Sequence, residues 1–475
     1  METSDRAGGV LDGGRPVGES GGMAPINRGL ASLARRLHAL PGDEHRVTSA
    51  LGVWLLLALI ARAADDRQPL PALDEALGMP RADAVALADA LMRQGHPAVK
   101  DAYAAWARAD LLDGPLGAFL RALPAQVERG ALPSQAEADA WASRSTGGLI
   151  PKYPVSLHPG TWITLASALA TQVDWTTAFD LASSDVLGPG PFARSVKRVL
   201  SAEPGLGHRA WIAGTAGLTV AEASSGSVAT GKNADVTGTG KNAGVAGVGV
   251  NAGVAGVGVN AGVAGVGMNA GITGIGPVAV HVAESEHLEV WSVSAAPEVP
   301  PAVVLDVAHA LAGGPLSRLA LADLPLGEGH SWTLTEKTGF GEDRIERVHL
   351  PAWEARNDLG LSGDPAFGDA GQLLASLLGR REFALDAAQS AMARYHQHGF
   401  EAAAVTGVAM RASAFVPERR RVRLATLRFA HPYAVVAMTT PHADAGAWAG
   451  IPVFSAWVAH PQEPPRSRRG RGRRN

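Results

Sequence analysis

Residues 399–411 read GFEAAAVTGVAMR, and their alternation decides how the rest of the chain is understood. Phe400, Ala402, Ala404, Thr406, Val408 and Met410 are apolar or small. Glu401, Ala403, Val405, Gly407, Ala409 and Arg411 are more mixed, with a charge at either end. A period of two is that of a strand with one buried face. The segment is nonetheless rich in alanine, a poor strand former, and is bounded by Gly399 and a polar loop at 417–421. A stretch that can be a strand without being committed to one suits a part of the chain that changes place. An ordinary edge strand or a short alanine helix fits the same residues.

Outward from this stretch the chain has 475 residues, 46% hydrophobic and 18% charged, as expected of a folded globular protein with a large core. The formal net charge of -3 points to no acidic or basic partner for the body. There is no cysteine, which excludes disulfides, thiolate metal sites and a cysteine nucleophile. The first 24 residues are polar and glycine-rich, read as a disordered leader with no secretory signal, so a cytoplasmic location is favoured and an extracellular one left open. Residues 51–60 (LGVWLLLALI) are too few to span a membrane, which takes about 20, and read as a fully buried helix.

Helical signals come first. Ile26, Leu30, Leu33, Leu37 and Leu40 form a stripe of alternating four and three spacing. After the buried helix, residues 84–92, 99–111 and 136–142 are dominated by good helix formers. Strand signals follow at 162–173, 279–282, 287–294, 344–350, 421–429, 433–438 and 453–458. Helices gathered early and strands late indicate an α+β domain rather than a doubly wound sheet. Two low-complexity stretches interrupt this order. Residues 232–276 are five copies of a nine-residue unit ending in glycine, within an insert spanning 224–277, and residues 462–475 form a tail with six arginines. The repeats read as a flexible surface insert, with a short stacked solenoid as the other option. The tail reads as a solvated terminus or as a site for a polyanion.

Motifs for chemistry are weak. Ser20 lies in GESGG but in a polar leader, with no histidine upstream to activate it. GSVATGK at 226–232 has the spacing of a phosphate loop, but Asn233 stands where a Ser or Thr should hold magnesium. His396 and His398 would share one face of a strand, with no third ligand at a suggestive spacing. No metal, cofactor or enzyme activity is indicated.

Several stretches together resemble the serpin family. GFEAAAVTG is similar to the hinge of the serpin reactive loop, and the stretch at 141–150 (WASRSTGGLI) to the turn before the central strand. Residues 165–179 (LASALATQVDWTTAF) resemble the strand ending in W-x3-F at the breach above the main sheet, and 349–359 (HLPAWEARNDL) a strand followed by a helix-opening Asp-Leu. Residues 428–438 and 453–461 resemble the C-terminal strand pair. The resemblance spans most of the chain to Pro461 apart from the insert. It implies the serpin fold, with three β-sheets, about eight to nine helices and an exposed reactive loop at about 397–428 within a domain of residues 25–461.

The resemblance further implies a monomeric inhibitor of a serine protease, not an enzyme, with no cofactor and no membrane association. Cleavage of the loop frees the hinge to insert as a new strand and traps the acyl-enzyme. The hinge falls on Gln397, Gly399, Phe400, Glu401, Ala402, Ala403, Ala404 and Thr406. The breach and the polar cluster beneath the sheet fall on Trp175, Ser49, Ser167 and Gln389, with Gly52 where the family usually has a second serine. Counting from Gln397, which replaces the usual hinge glutamate, the bait bond is Ser413–Ala414, with Arg411–Ala412 the alternative. Phe400 departs from the small residue usual there, and its bulk is expected to cost about 1–3 kcal/mol of overpacking on entry to the sheet. That departure leaves open a serpin fold that binds without inhibiting, and accidental matches in an unrelated α+β protein remain the third reading.

Overall fold

A computed structural model describes residues 25–39, 45–65, 67–214, 275–313, 318–339, 343–380, 386–400, 420–440 and 443–463. The leader, the nine-residue repeats as far as residue 274 and the arginine-rich stretch of the tail lie outside them. So do Glu401, Ala402, Ala403, Ala404, Thr406 and both candidate bait bonds, Ser413–Ala414 and Arg411–Ala412.

The helix Ala50–Ala61 is apolar on every side because it is covered on every side: all of its residues except Leu56 are buried. It packs between a seven-stranded antiparallel sheet on one side and the main sheet on the other. The seven-stranded sheet runs Arg46–Thr48, Pro452–Val458, Tyr433–Thr439, Leu288–Ser294, Val278–Glu284, His208–Ala213 and Arg318–Ala320. Its strands are near-continuous apolar runs, as expected where both faces are buried; helix Pro301–Gly313 lies against one of them. A third, six-stranded sheet is built around Arg420–Arg428, which pairs antiparallel with Trp332–Gly339 and parallel with Arg344–Leu350.

The main sheet consists of two ladders. One contains Val99–Ala107 (β1), Val127–Ala131 (β2) and Ile163–Thr171 (β3), in the order β2-β1-β3. The other contains Val173–Asp174 (β4), Trp353–Gly360 (β5), Ala388–Tyr395 (β6) and Gly399–Phe400 (β7), in the order β5-β6-β7-β4. β4 continues the line of β3 after a single intervening residue, so β3 and β6 face each other across a slot. Among the described residues no ladder joins them.

Two expectations are corrected. Residues 99–111 form a strand, β1, followed by a single turn at Ala109–Leu111, and not a helix. The alanines satisfy helix propensity but also fit a strand buried on both faces. Ala104 and Trp106 pack with Trp141 and Tyr153, whereas Tyr103, Ala105 and Ala107 join the main core. Asp358 and Leu359 end strand β5 instead of opening a helix; the next helix, Pro365–Leu377, begins beyond them, with Asp364 capping it through the Ala366 N–H. No described helix is long and apolar enough to cross a membrane.

Candidate functional site

The slot is bridged at one end by β7. Phe400 pairs with Tyr395 of β6 on one side and with Val173 of β4 on the other, and Gly399 pairs with Asp174. The turn before it is pinned by three backbone acceptors. The Trp175 N–H donates to the His398 carbonyl at 2.9 Å and its indole Nε1 to the His396 carbonyl at 2.9 Å, while the Phe179 N–H donates to the Gln397 carbonyl at 2.9 Å. The W-x3-F spacing thus aims two successive anchors at one turn. Gln397 is held by its main chain.

Phe400 is only 2% exposed. Its ring centroid lies 6.5 Å from Trp175 and 6.3 Å, edge to face, from Trp353; Trp353 in turn stacks on Tyr395 at 6.1 Å. Such contacts are each worth about 0.5–1.5 kcal/mol beyond the area buried. The bulk expected to overpack the sheet therefore sits in a cage lined for it. Trp353 and Tyr395 were not among the residues the sequence singled out. Their signal is weak: Tyr395 follows Ala391 and Ala393 on the buried face of β6, and it meets Phe400 only once the hairpin forms.

Below the cage the slot narrows over the polar cluster. Ser49 caps the buried helix: its Oγ accepts from the Gly52 N–H at 3.1 Å and donates to the Val453 carbonyl at 2.8 Å. From β6, Gln389 clamps the same residue twice. Its Oε1 accepts from the Ser49 N–H at 3.1 Å, and its Nε2 donates to the Ser49 carbonyl at 2.8 Å. From β3, Ser167 Oγ donates to the Gly52 carbonyl at 2.7 Å. Both flanks of the slot are thus tied to one helical turn and not to each other. Gly52 sits close beneath β3: a Cβ there would meet Leu169 Cδ1 at 3.0 Å and Ser167 Oγ at 3.3 Å, so a larger residue needs those side chains to shift by a few tenths of an ångström.

Two cavities mark the slot. One of about 70 Å³ is lined by Ser167, Leu169, Gln389, Ala391 and Phe400. The other, about 510 Å³, opens at the foot between Ile163 and Leu165 of β3, Ala387 and Ala388, and helix Pro365–Leu377.

Titratable groups gather at the hinge end. Burial lowers the His396 pKa to about 4, helped by His398 and Arg394. Behind Phe179, His208 and His281 stack with ring centroids 5.4 Å apart; burial lowers both, His281 the further. Among the described residues no three His, Asp or Glu side chains group as a metal site would require.

Solved structures share this architecture. Tengpin, a thermophilic serpin, matches in its native state over 91% of this chain and 93% of its own, with 13% identity and a TM-score of 0.52. Its latent state matches over 92% and 97%, with 11% identity and a TM-score of 0.52. Human thyroxine-binding globulin matches over 92% and 98%, with 12% identity and a TM-score of 0.53. No family model and no curated protein matches the sequence. The chain has the serpin fold.

Proposed function

We propose that the protein inhibits a serine protease as a suicide substrate, by inserting its own loop into the slot between β3 and β6. The observation that carries this reading is the docking of Gly399 and Phe400 between the two flanks, with the slot continuing below them. Extending the pairing one residue at a time sets Ala402 opposite Ala393 and Thr171, and Ala404 opposite Ala391 and Leu169. Thr406 then falls opposite Gln389 and Ser167, and Val408 opposite Ala387 and Leu165, with Met410 opposite Ile163. Neighbours across a sheet share a face, so the even-numbered residues point inward as Phe400 does. The size order agrees with the space: alanines pass the narrow cavity, the threonine hydroxyl reaches the polar cluster, and Val408 and Met410 enter the wide foot.

In the reaction the protease serine attacks the bait carbonyl, taken as that of Ser413, and forms an ester while the amine of Ala414 leaves. Insertion then carries the ester away from the loop's starting place before water completes the hydrolysis. The inhibitor supplies no catalytic group; it supplies a sheet with two arrangements, and cleavage releases the second. The breach residue Trp175 and the cluster of Ser49, Ser167 and Gln389 would guide the strand.

Incubation with elastase-like, subtilisin-like and trypsin-like proteases is expected to give a covalent complex that survives boiling in detergent. The released fragment should begin at Ala414; a start at Ala412 would move the bait to Arg411. Cleavage by every protease without a complex would favour a serpin fold that binds without inhibiting. Polyanion binding through the tail is a separate proposal. Deleting residues 464–475 should abolish retention on a polyanion column, and unchanged retention would place that binding elsewhere.

A further inference from the structure

We infer that Phe400 is a positioning residue whose caged ring wedges the main sheet open and keeps the slot ready for a strand. The inference uses the slot of the reading above but neither the protease nor the bait bond.

Neighbouring strands lie about 4.8 Å apart, so the insertion of β7 sets β4 and β6 two spacings apart, about 9–10 Å. Because β4 prolongs β3, that separation is imposed on β3 as well. The wedge is bolted to both flanks. Trp353 of β5 meets the ring edge to face from one flank, and Trp175, next after β4, meets it from the other and also touches Tyr395 of β6, centroids 4.9 Å apart. The Trp175 and Phe179 N–H groups hold the turn that delivers it.

The edges beneath the wedge are ready to pair. The Trp162 carbonyl accepts from the Arg108 N–H and so faces β1. Backbone groups alternate in direction along a strand, so Ile163, Leu165, Ser167 and Leu169 turn theirs toward the slot. On β6 the Ala387 carbonyl accepts from the Leu361 N–H, which leaves Ala388, Ser390 and Met392 turned toward the slot. Two such edges zip together when nothing separates them. Without the ring the turn keeps its hydrogen bonds, but residue 400 loses the apolar contacts that seat it between the flanks, and the sheet below can close.

This is opposite in sign to the overpacking argument, in which a bulky residue at this position obstructs entry and its removal speeds insertion. Hydrogen exchange on the full chain separates the two. In the natural protein the slot-facing amides of β3 and β6 should exchange freely. In Phe400→Ala their protection should rise at least about tenfold, and a synthetic peptide of residues 401–412 should be taken up at least about tenfold more slowly. Phe400→Leu, which refills part of the cage, should fall between. Equal protection in the natural protein and Phe400→Ala, or faster peptide uptake by Phe400→Ala, would overturn the inference. A change in protection without any protease complex would leave the wedge standing and remove only the inhibitory reading.

Discussion

At the bridged end of the slot, Phe400, Trp175, Trp353 and Tyr395 fill the space between the flanks, and three hydrogen bonds to main-chain carbonyls fix the turn that brings Phe400 in. At the foot, Ile163, Leu165, Leu361, Phe367 and Leu374 line a cavity of about 510 Å³. Both ends are apolar, and they differ in whether the apolar surface is satisfied. A cavity of that size, lined mostly by apolar residues with His158, Thr161 and Asp386 among them, forfeits packing contacts and apolar burial that a strand carrying valine and methionine can restore. For the proposed insertion the contrast implies a direction: the molecule is locked where insertion would begin and has the most to gain where it would end.

The largest effect should come from breaking the register between the two ends. Ala404→Arg would place a guanidinium inside the sheet, where an unpaired charge costs several kcal/mol. It should abolish the protease complex and leave a plain substrate, as read on a denaturing gel. Ala403→Arg, one residue away and facing out, should leave the complex intact. Equal behaviour of the two variants would refute the register.

A smaller effect is expected at the foot. Met410→Ala should cost the cleaved, inserted form about 2–4 kcal/mol and leave the uncleaved form unchanged, as measured by denaturant unfolding of each. Equal losses in both forms would mean that Met410 has another place in the resting molecule.

Acid should sharpen the contrast further, because the buried histidines lie away from the foot. His396 is lowered to about 4, and His208 and His281 are lowered as well, burial being the largest cause in each. Elsewhere in the body, His38 is lowered to about 3 and His309 to about 4. Between roughly pH 6.5 and pH 4 the unfolded chain therefore binds more protons than the folded one. The stabilisation is complete above about 6.5 and is lost as pH falls through that range. Hydrogen exchange at residues 396–400 should accelerate across that window before exchange around the foot does. Simultaneous loosening of both ends would contradict this assignment.

Much of this fold was legible in local pattern. The stripe of Ile26, Leu30, Leu33 and Leu37, the all-apolar run of the buried helix and the long apolar run of β3, with Ile163, Thr164 and Thr171 in it, each point to their element from local sequence. β1 misled because Ala102, Ala104 and Ala105 carry no period of their own; the identity of that strand is set by what covers its two faces. In the site, Ser49, Gly52, Ser167 and Gln389 were legible as a group through the family resemblance, and they do converge on one helical turn. The cage was not. Trp353, Tyr395 and Phe400 come from separate stretches, and nothing in any one of them reports that a hairpin and an adjacent strand bring the three rings together.

The central claim is that the slot receives the chain's own loop, and the most direct measurement is the melting temperature before and after one cut within residues 411–420. The cut itself removes a constraint and adds no contact, so a rise in stability has to come from new contacts made by the freed segment. The account predicts that the cleaved protein, with its fragments still associated, melts roughly 10 °C or more above the intact chain, the scale expected for about 10 kcal/mol of new burial and pairing in a chain of this length. An unchanged or lowered melting temperature after a clean cut would contradict it.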